Sequence, residues 1–114
     1  MTKRLKERIN AIQTIARKRD ANEIPYFKKI ALDKSENPKV RLAAVLAIGG
    51  FDWRSVSPLV DISNETEGKV SQTAFRILHA LYAKEFKTGW TQEAKTSLIG
   101  AIVLFPLMTE NRMQ

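Results

Sequence analysis

Residues 37–49, reading NPKVRLAAVLAIG, constrain this chain more than any other stretch. They predict a helix that Asn37 caps, Pro38 opens and Gly49 closes, and it is apolar on two faces. A helix of that kind must be covered from both sides. Thirty positions downstream stands a weaker copy, EGKVSQTAFRILH, in which Lys39/Lys69, Val40/Val70 and Ala44/Ala74 are identical and Val45/Phe75 and Ile48/Leu78 match in character. The spacing therefore predicts a repeat of helical hairpins, each burying its apolar face against the next.

The rest of the chain falls into the same plan. Leu5, Ile9, Ile12 and Ala16 recur at helical spacing, with Lys and Arg between them, which predicts an amphipathic capping helix over 3–19. Asp20 and Asn22 offer a new start, with Glu23 placed to close a capping box on Asp20. Ile24, Phe27, Ile30 and Ala31 then form a stripe expected to end near Asp33. With the 37–49 helix this makes hairpin 1, residues 20–50, ending at the Gly49-Gly50 doublet, which tolerates a left-handed helix end. Hairpin 2, residues 52–86, has Asp52 as its cap and Val56, Leu59 and Ile62 as its first stripe, shifted by 32 from Ile24, Phe27 and Ile30. Because its second helix is shifted by only 30, its turn should be two residues shorter. Asn64 is read as the cap of that second helix, with Glu67 its box partner and the helix running from about Thr66 towards Phe86 through Val70, Ala74, Ile77, Leu78 and Leu81. Thr91 would cap a last helix over 91–106, apolar nearly all round, which is either packed within the chain or an oligomer or partner interface. No stretch reads as strand with comparable clarity, so the expectation is a single all-α domain over 1–114.

IPYFKKIALDKSENPKVRLAAVLAIGGF resembles a HEAT-like repeat, in the short form found in phycobilisome-lyase-type HEAT proteins. The resemblance rests on Ile24-Pro25, the polar turn Ser35-Glu36-Asn37, Pro38-Lys39-Val40-Arg41, the alanines Ala43-Ala44 and Gly49. It covers residues 20–50 well and 52–82 loosely. It implies a HEAT-like α-solenoid of antiparallel hairpins with terminal capping helices, whose second helices line a concave face suited to a long ligand. The family usually pairs a turn aspartate with the arginine of the Val-Arg step, and here Ser35 stands in the aspartate's place and Ser71 in that of the second arginine. An accessory role in pigment or cofactor attachment is also implied, but no residue carries it, and no cofactor is expected.

Charge supplies the second clue. The chain carries 19 Lys and Arg against 12 Asp and Glu, for a net charge of +7, and Lys3, Arg4, Lys6, Arg8, Arg17, Lys18 and Arg19 all fall in its first helix or just after it. On the hairpin plan Lys39, Arg41, Lys69, Gln72 and Arg76 border the inner surface, and with Arg4, Arg8 and Lys18 they are the candidate partner-binding residues. Each taken singly is equally well a solvated residue whose aliphatic stem shields the core. As a group they predict a non-catalytic protein-interaction module, an adaptor or regulator, that binds an acidic protein surface. The alternative is sequence-independent binding to a nucleic-acid backbone. No zinc-finger spacing, RNP-like strand or basic zipper is present to read bases.

Enzyme chemistry finds little purchase. Without cysteine there is no thiolate metal site or disulfide, and one histidine, His79, builds no imidazole cluster within a chain. His79 reads as a packing residue on the second inner helix, and Asp61, in PLVDIS, as a residue on a water-facing side. Trp53 and Trp90 stand where helices begin and read as packing across a turn. Gly49-Gly50 has neither a phosphate-loop pattern around it nor a strand before it. No metal and no catalytic residue is expected. The N-terminus lacks an apolar segment of signal-peptide type, and the run Ser97 to Met108 is too short to span a bilayer and contains Pro106. The expected location is cytoplasmic, with no membrane partner.

Overall fold

In the computed structural model residues 2–88 are described, and they are all-helical. The helices are α1 (Lys3–Arg17), α2 (Ile24–Leu32), α3 (Pro38–Gly49), α4 (Val56–Glu65) and α5 (Gly68–Thr88), with 3-10 turns at Ala21–Glu23 and Asp52–Ser55 leading into α2 and α4. The helix expected over 91–106, and Trp90, lie outside the described residues.

Packing follows the apolar stripes. α2 packs on α3 and α4 on α5, while α1 and α5 flank α3 on either side and α2 lies against α4. One layer thus holds α1, α3 and α5, and the other α2 and α4. The core runs along the seam between them: Phe27, Ala31, Val40, Ala44, Val45, Ile48, Leu59, Ile62, Ala74 and Leu78 are sealed from solvent, and Ile12 joins them from α1. α3 is buried on two faces, as its sequence requires, and α1 on one.

The connections repeat as well. Between α1 and α2 the chain turns through Arg19 at φ 52°, shortly before a 3-10 turn, and between α3 and α4 through Asp52, also at φ 52°, which is itself the first residue of one. α1 therefore enters α2 much as α3 enters α4. Within the hairpins, α2 and α3 are joined by residues 33–37 and α4 and α5 by the shorter 66–67.

Local chemistry explains most of the boundaries. Thr2 Oγ1 accepts from Leu5 N at 3.2 Å and starts α1, and Asn37 Oδ1 accepts from Lys39 N at 2.9 Å ahead of Pro38. Asp33 folds the α2–α3 turn by accepting from Ser35 N at 3.0 Å and Ser35 Oγ at 2.6 Å. Thr66 Oγ1 donates to Ile62 O at 2.5 Å and closes α4.

Several expectations give way here. Asp20 accepts from Asn22 N at 3.0 Å and opens a 3-10 turn instead of closing a box with Glu23. Asp52 is not a cap but the first residue of its 3-10 turn, held left-handed. Asn64 lies inside α4, so it caps nothing; α5 begins at Gly68, whose φ of 64° is the left-handed step that the short turn needs. Gly50 is right-handed at φ −77°, so the doublet closes α3 without using the left-handed end that it would tolerate. Gly49 serves packing: a Cβ there would stand 3.1 Å from Ile77 Cγ2, so its lack of a side chain lets α3 approach α5.

Candidate partner-binding face

The eight candidate residues separate into those left on the surface and those used internally. Lys39 on α3 and Lys69, Gln72 and Arg76 on α5 are exposed. Lys39 and Lys69 hold equivalent places in the first turns of two helices that pack together, so this layer presents a polar, cationic surface across α3 and α5. Arg4 and Lys18 are exposed at opposite ends of α1.

Arg41 and Arg8 do other work. The Arg41 side chain turns back to α2, where Nε donates to Ala31 O at 2.9 Å, so it secures a helix end within hairpin 1 and does not border the inner surface. Ser71, thirty residues on, donates from Oγ to Ser63 O at 2.9 Å. Ala31 and Ser63 are themselves equivalent under the 32-residue shift of the first helices. An arginine and a serine thus perform one task, bonding the second helix of each hairpin to the carboxyl end of its first. Arg8 reaches Glu36 in the α2–α3 turn, forming an ion pair that ties α1 to hairpin 1. Its guanidinium holds the Glu36 carboxyl below its ordinary value near 4.5, and the Ser35 hydroxyl, with its backbone N–H, does the same for Asp33.

The second half of α1 meets α3 differently. Two open hollows of about 290 and 370 Å³ lie side by side there and share Ala16, Arg17, Leu46 and Ala47. Their walls also include Gln13 and Ala43 at one end and Arg19, Gly50 and Phe51 at the other, and no carboxylate. Leu46 stands in both hollows and is 61% exposed, the highest value among the large apolar side chains of the described residues. Arg19 Nη1 donates to Gly50 O at 3.3 Å, placing a cation at the carboxyl end of α3 where the helix dipole is negative. Charge counting had found Arg17 and Arg19, but not the groove. Its signal in the sequence was Leu46: the equivalent position in hairpin 2 is the exposed Arg76, so an apolar residue here stands at a water-facing register.

Other candidates settle elsewhere. Asp61, expected to face water, keeps 42% of its side chain exposed, and its Oδ2 accepts from Lys28 Nζ at 2.7 Å, linking α4 to α2. His79, read as a packing residue, is exposed on α5. Trp53 is half-buried within the second 3-10 turn, with the Arg54 guanidinium 5.5 Å from its ring centroid. A notch of about 420 Å³ between the hairpin turns is lined by Lys34, Arg41, Asn64, Glu65, Thr66 and Glu67, a set whose charges largely offset one another. Among the described residues no three His, Asp or Glu side chains gather as a metal site would require, and no helix is long and apolar enough to cross a membrane.

Comparison of the chain with protein-family models, with curated proteins and with solved structures finds no match.

Proposed function

We propose that this chain is a HEAT-like, non-catalytic protein-interaction module, an adaptor or regulator that receives an acidic partner on the face of the α1–α3–α5 layer. The observation that carries the reading is the exposure of Lys39, Lys69, Gln72 and Arg76 on two adjacent helices of that layer, while the polar residues of the opposite seam, Arg41, Ser71 and Ser63, are occupied in holding the hairpins together. The repeated turns, the 30- and 32-residue shifts and the two helix layers support the HEAT-like description. Arg8 and Arg41 are withdrawn from the binding set, Arg8 because Glu36 already neutralises its charge and Arg41 because it is half-buried and turned back onto Ala31 O.

A second reading draws on α1. Lys3, Arg4, Lys6, Arg17 and Lys18 are exposed and form no ion pair among the described residues, which favours backbone binding to a nucleic acid. One titration separates the two: fluorescence anisotropy of a polyglutamate peptide, a short DNA duplex and a single-stranded RNA, each run from low to moderate salt. The adaptor reading expects polyglutamate to bind and to be lost when Lys39, Lys69 and Arg76 are changed to Gln. Tighter binding of duplex or RNA, falling steeply with salt and abolished by neutralising Lys3, Arg4 and Lys6, would replace it with the nucleic-acid reading.

A further inference from the structure

We infer that the groove between the second half of α1 and α3 is a docking site for an amphipathic, acidic helical segment of a partner protein, with Leu46 as the apolar anchor and Arg17 and Arg19 as the charged rim. The inference deepens the adaptor reading, since it rests on that reading for the class of partner and adds where the partner sits and what it must look like.

Three features of the groove define its occupant. Ala16, Ala43 and Ala47 line it, and such small side chains let another helix approach closely, whereas long ones would fill the space themselves. Leu46 exposes more than half of its surface at a register where the neighbouring hairpin carries Arg76, so the most exposed large apolar side chain of the described residues stands here. The charged side chains that line the groove have a single sign. Arg17 and Arg19 border the hollows, Lys18 lies between them in sequence, and no carboxylate lines either hollow. An occupant with apolar residues at helical spacing, flanked by Asp and Glu, covers Leu46 and meets the rim at once. A polynucleotide satisfies the arginines but leaves Leu46 uncovered, and a basic segment is repelled.

The probe is a fluorescent peptide of about four helical turns, with Leu at every third or fourth position and Glu elsewhere, whose anisotropy is read against the full chain. Two control peptides accompany it: an isomer with the same composition but no apolar stripe, and a twin with Lys in place of Glu. The expected order is the striped acidic peptide first, its isomer weaker, and the Lys twin unbound. Leu46→Asp is expected to weaken the striped peptide by roughly tenfold or more while leaving the isomer's weaker binding little changed, because burying a leucine side chain is a contribution of that size. Arg17→Glu should weaken both acidic peptides. Position 46 is largely exposed, so the circular dichroism and thermal midpoint of Leu46→Asp should match the parent, and Leu46→Ala provides a milder second variant. Equal binding of the striped peptide and its isomer, or striped-peptide binding that survives both substitutions at 46, overturns the groove. If that binding nevertheless disappears with Lys39, Lys69 and Arg76 changed to Gln, the adaptor reading stands and only the groove fails. If neither acidic peptide binds while a DNA duplex does, both fail together.

Discussion

Arg8 and Glu36 show how a single charged pair ties a terminal helix to a turn. The Glu36 side chain is 11% exposed and its partner's 45%, so the pair is partly shielded from solvent and carries more than a fully exposed one. Glu36 and Asp33 both have carboxyls held below their ordinary values of 4.5 and 3.8, the first chiefly by Arg8 and the second by the Ser35 hydroxyl. A carboxylate whose folded pKa is depressed stabilises the fold fully above its unfolded value, and that stabilisation disappears as pH falls through the folded one. Urea midpoints measured as a function of pH should therefore hold level above the ordinary Glu value and decline below it. Glu36→Gln should lower the midpoint at neutral pH and flatten the acid decline, and Arg8→Met combined with it should add little further loss. A decline of unchanged steepness in Glu36→Gln would show that other carboxylates dominate the acid response. At Gly68, φ of 64° with open space around a Cβ isolates backbone strain from crowding, so Gly68→Ala should cost about 1–2 kcal/mol by chemical denaturation.

At the scale of elements, the seam between α3 and α5 turns on Gly49 and Ile77. Glycine inside a helix costs roughly 0.5–1 kcal/mol relative to alanine, while forcing a methyl into a filled interface costs about 1–3 kcal/mol. Because the new Cβ would lie 3.1 and 3.2 Å from two Ile77 atoms, crowding is expected to win, and Gly49→Ala should destabilise. In an Ile77→Ala background the same change should stabilise, giving a double-mutant coupling of about 1 kcal/mol or more. Gly49 also marks where sequence reading stops. Helix existence, type and stripe were legible, because Phe27, Val40, Ala44, Leu59, Ala74 and Leu78 stand at unbroken helical spacing and are all buried. The turns were legible only in part. Asn64 carries the chemistry of a cap and lies within a helix, because α4 continues past it to Thr66 and the reversal falls on Gly68. Gly49 ends α3 as its sequence suggests, but it is also a point of close approach to α5, and nothing local in a sequence says which helix will lie against it. The same limit applies to the candidate site. Lys39, Lys69 and Arg76, read from charge and register, are exposed, whereas Arg41 turns back onto Ala31 O, a main-chain carbonyl of the kind that every residue supplies and no pattern marks.

For the molecule as a whole, the two-layer arrangement makes α3 its centre. α3 has neighbours on α1, α2, α4 and α5 and contributes four sealed residues, Val40, Ala44, Val45 and Ile48, whereas α1 packs chiefly on α3 and contributes only Ile12 to the buried set. In stacked helical units stability is a sum over neighbours, so an end helix with one interface opens more readily than a central one. Amide hydrogen exchange should accordingly be slowest in α3 and faster in α1, by a margin set by the α1–α3 interface. Ile12→Ala removes that interface's best-buried side chain, and a buried Ile to Ala change costs about 2–5 kcal/mol. If α1 opens on its own, the substitution should speed exchange throughout α1 while protection in α3 and α4 changes much less. If the whole body unfolds as one unit, all of these helices should lose the same protection together. The distinction reaches the docking groove, because α1 forms one wall of it. A ligand seated between α1 and α3 binds only the closed form, so it should slow exchange in α1 more than in α4, and weakening the α1 anchor with Ile12→Ala should weaken that ligand although Ile12 never touches it.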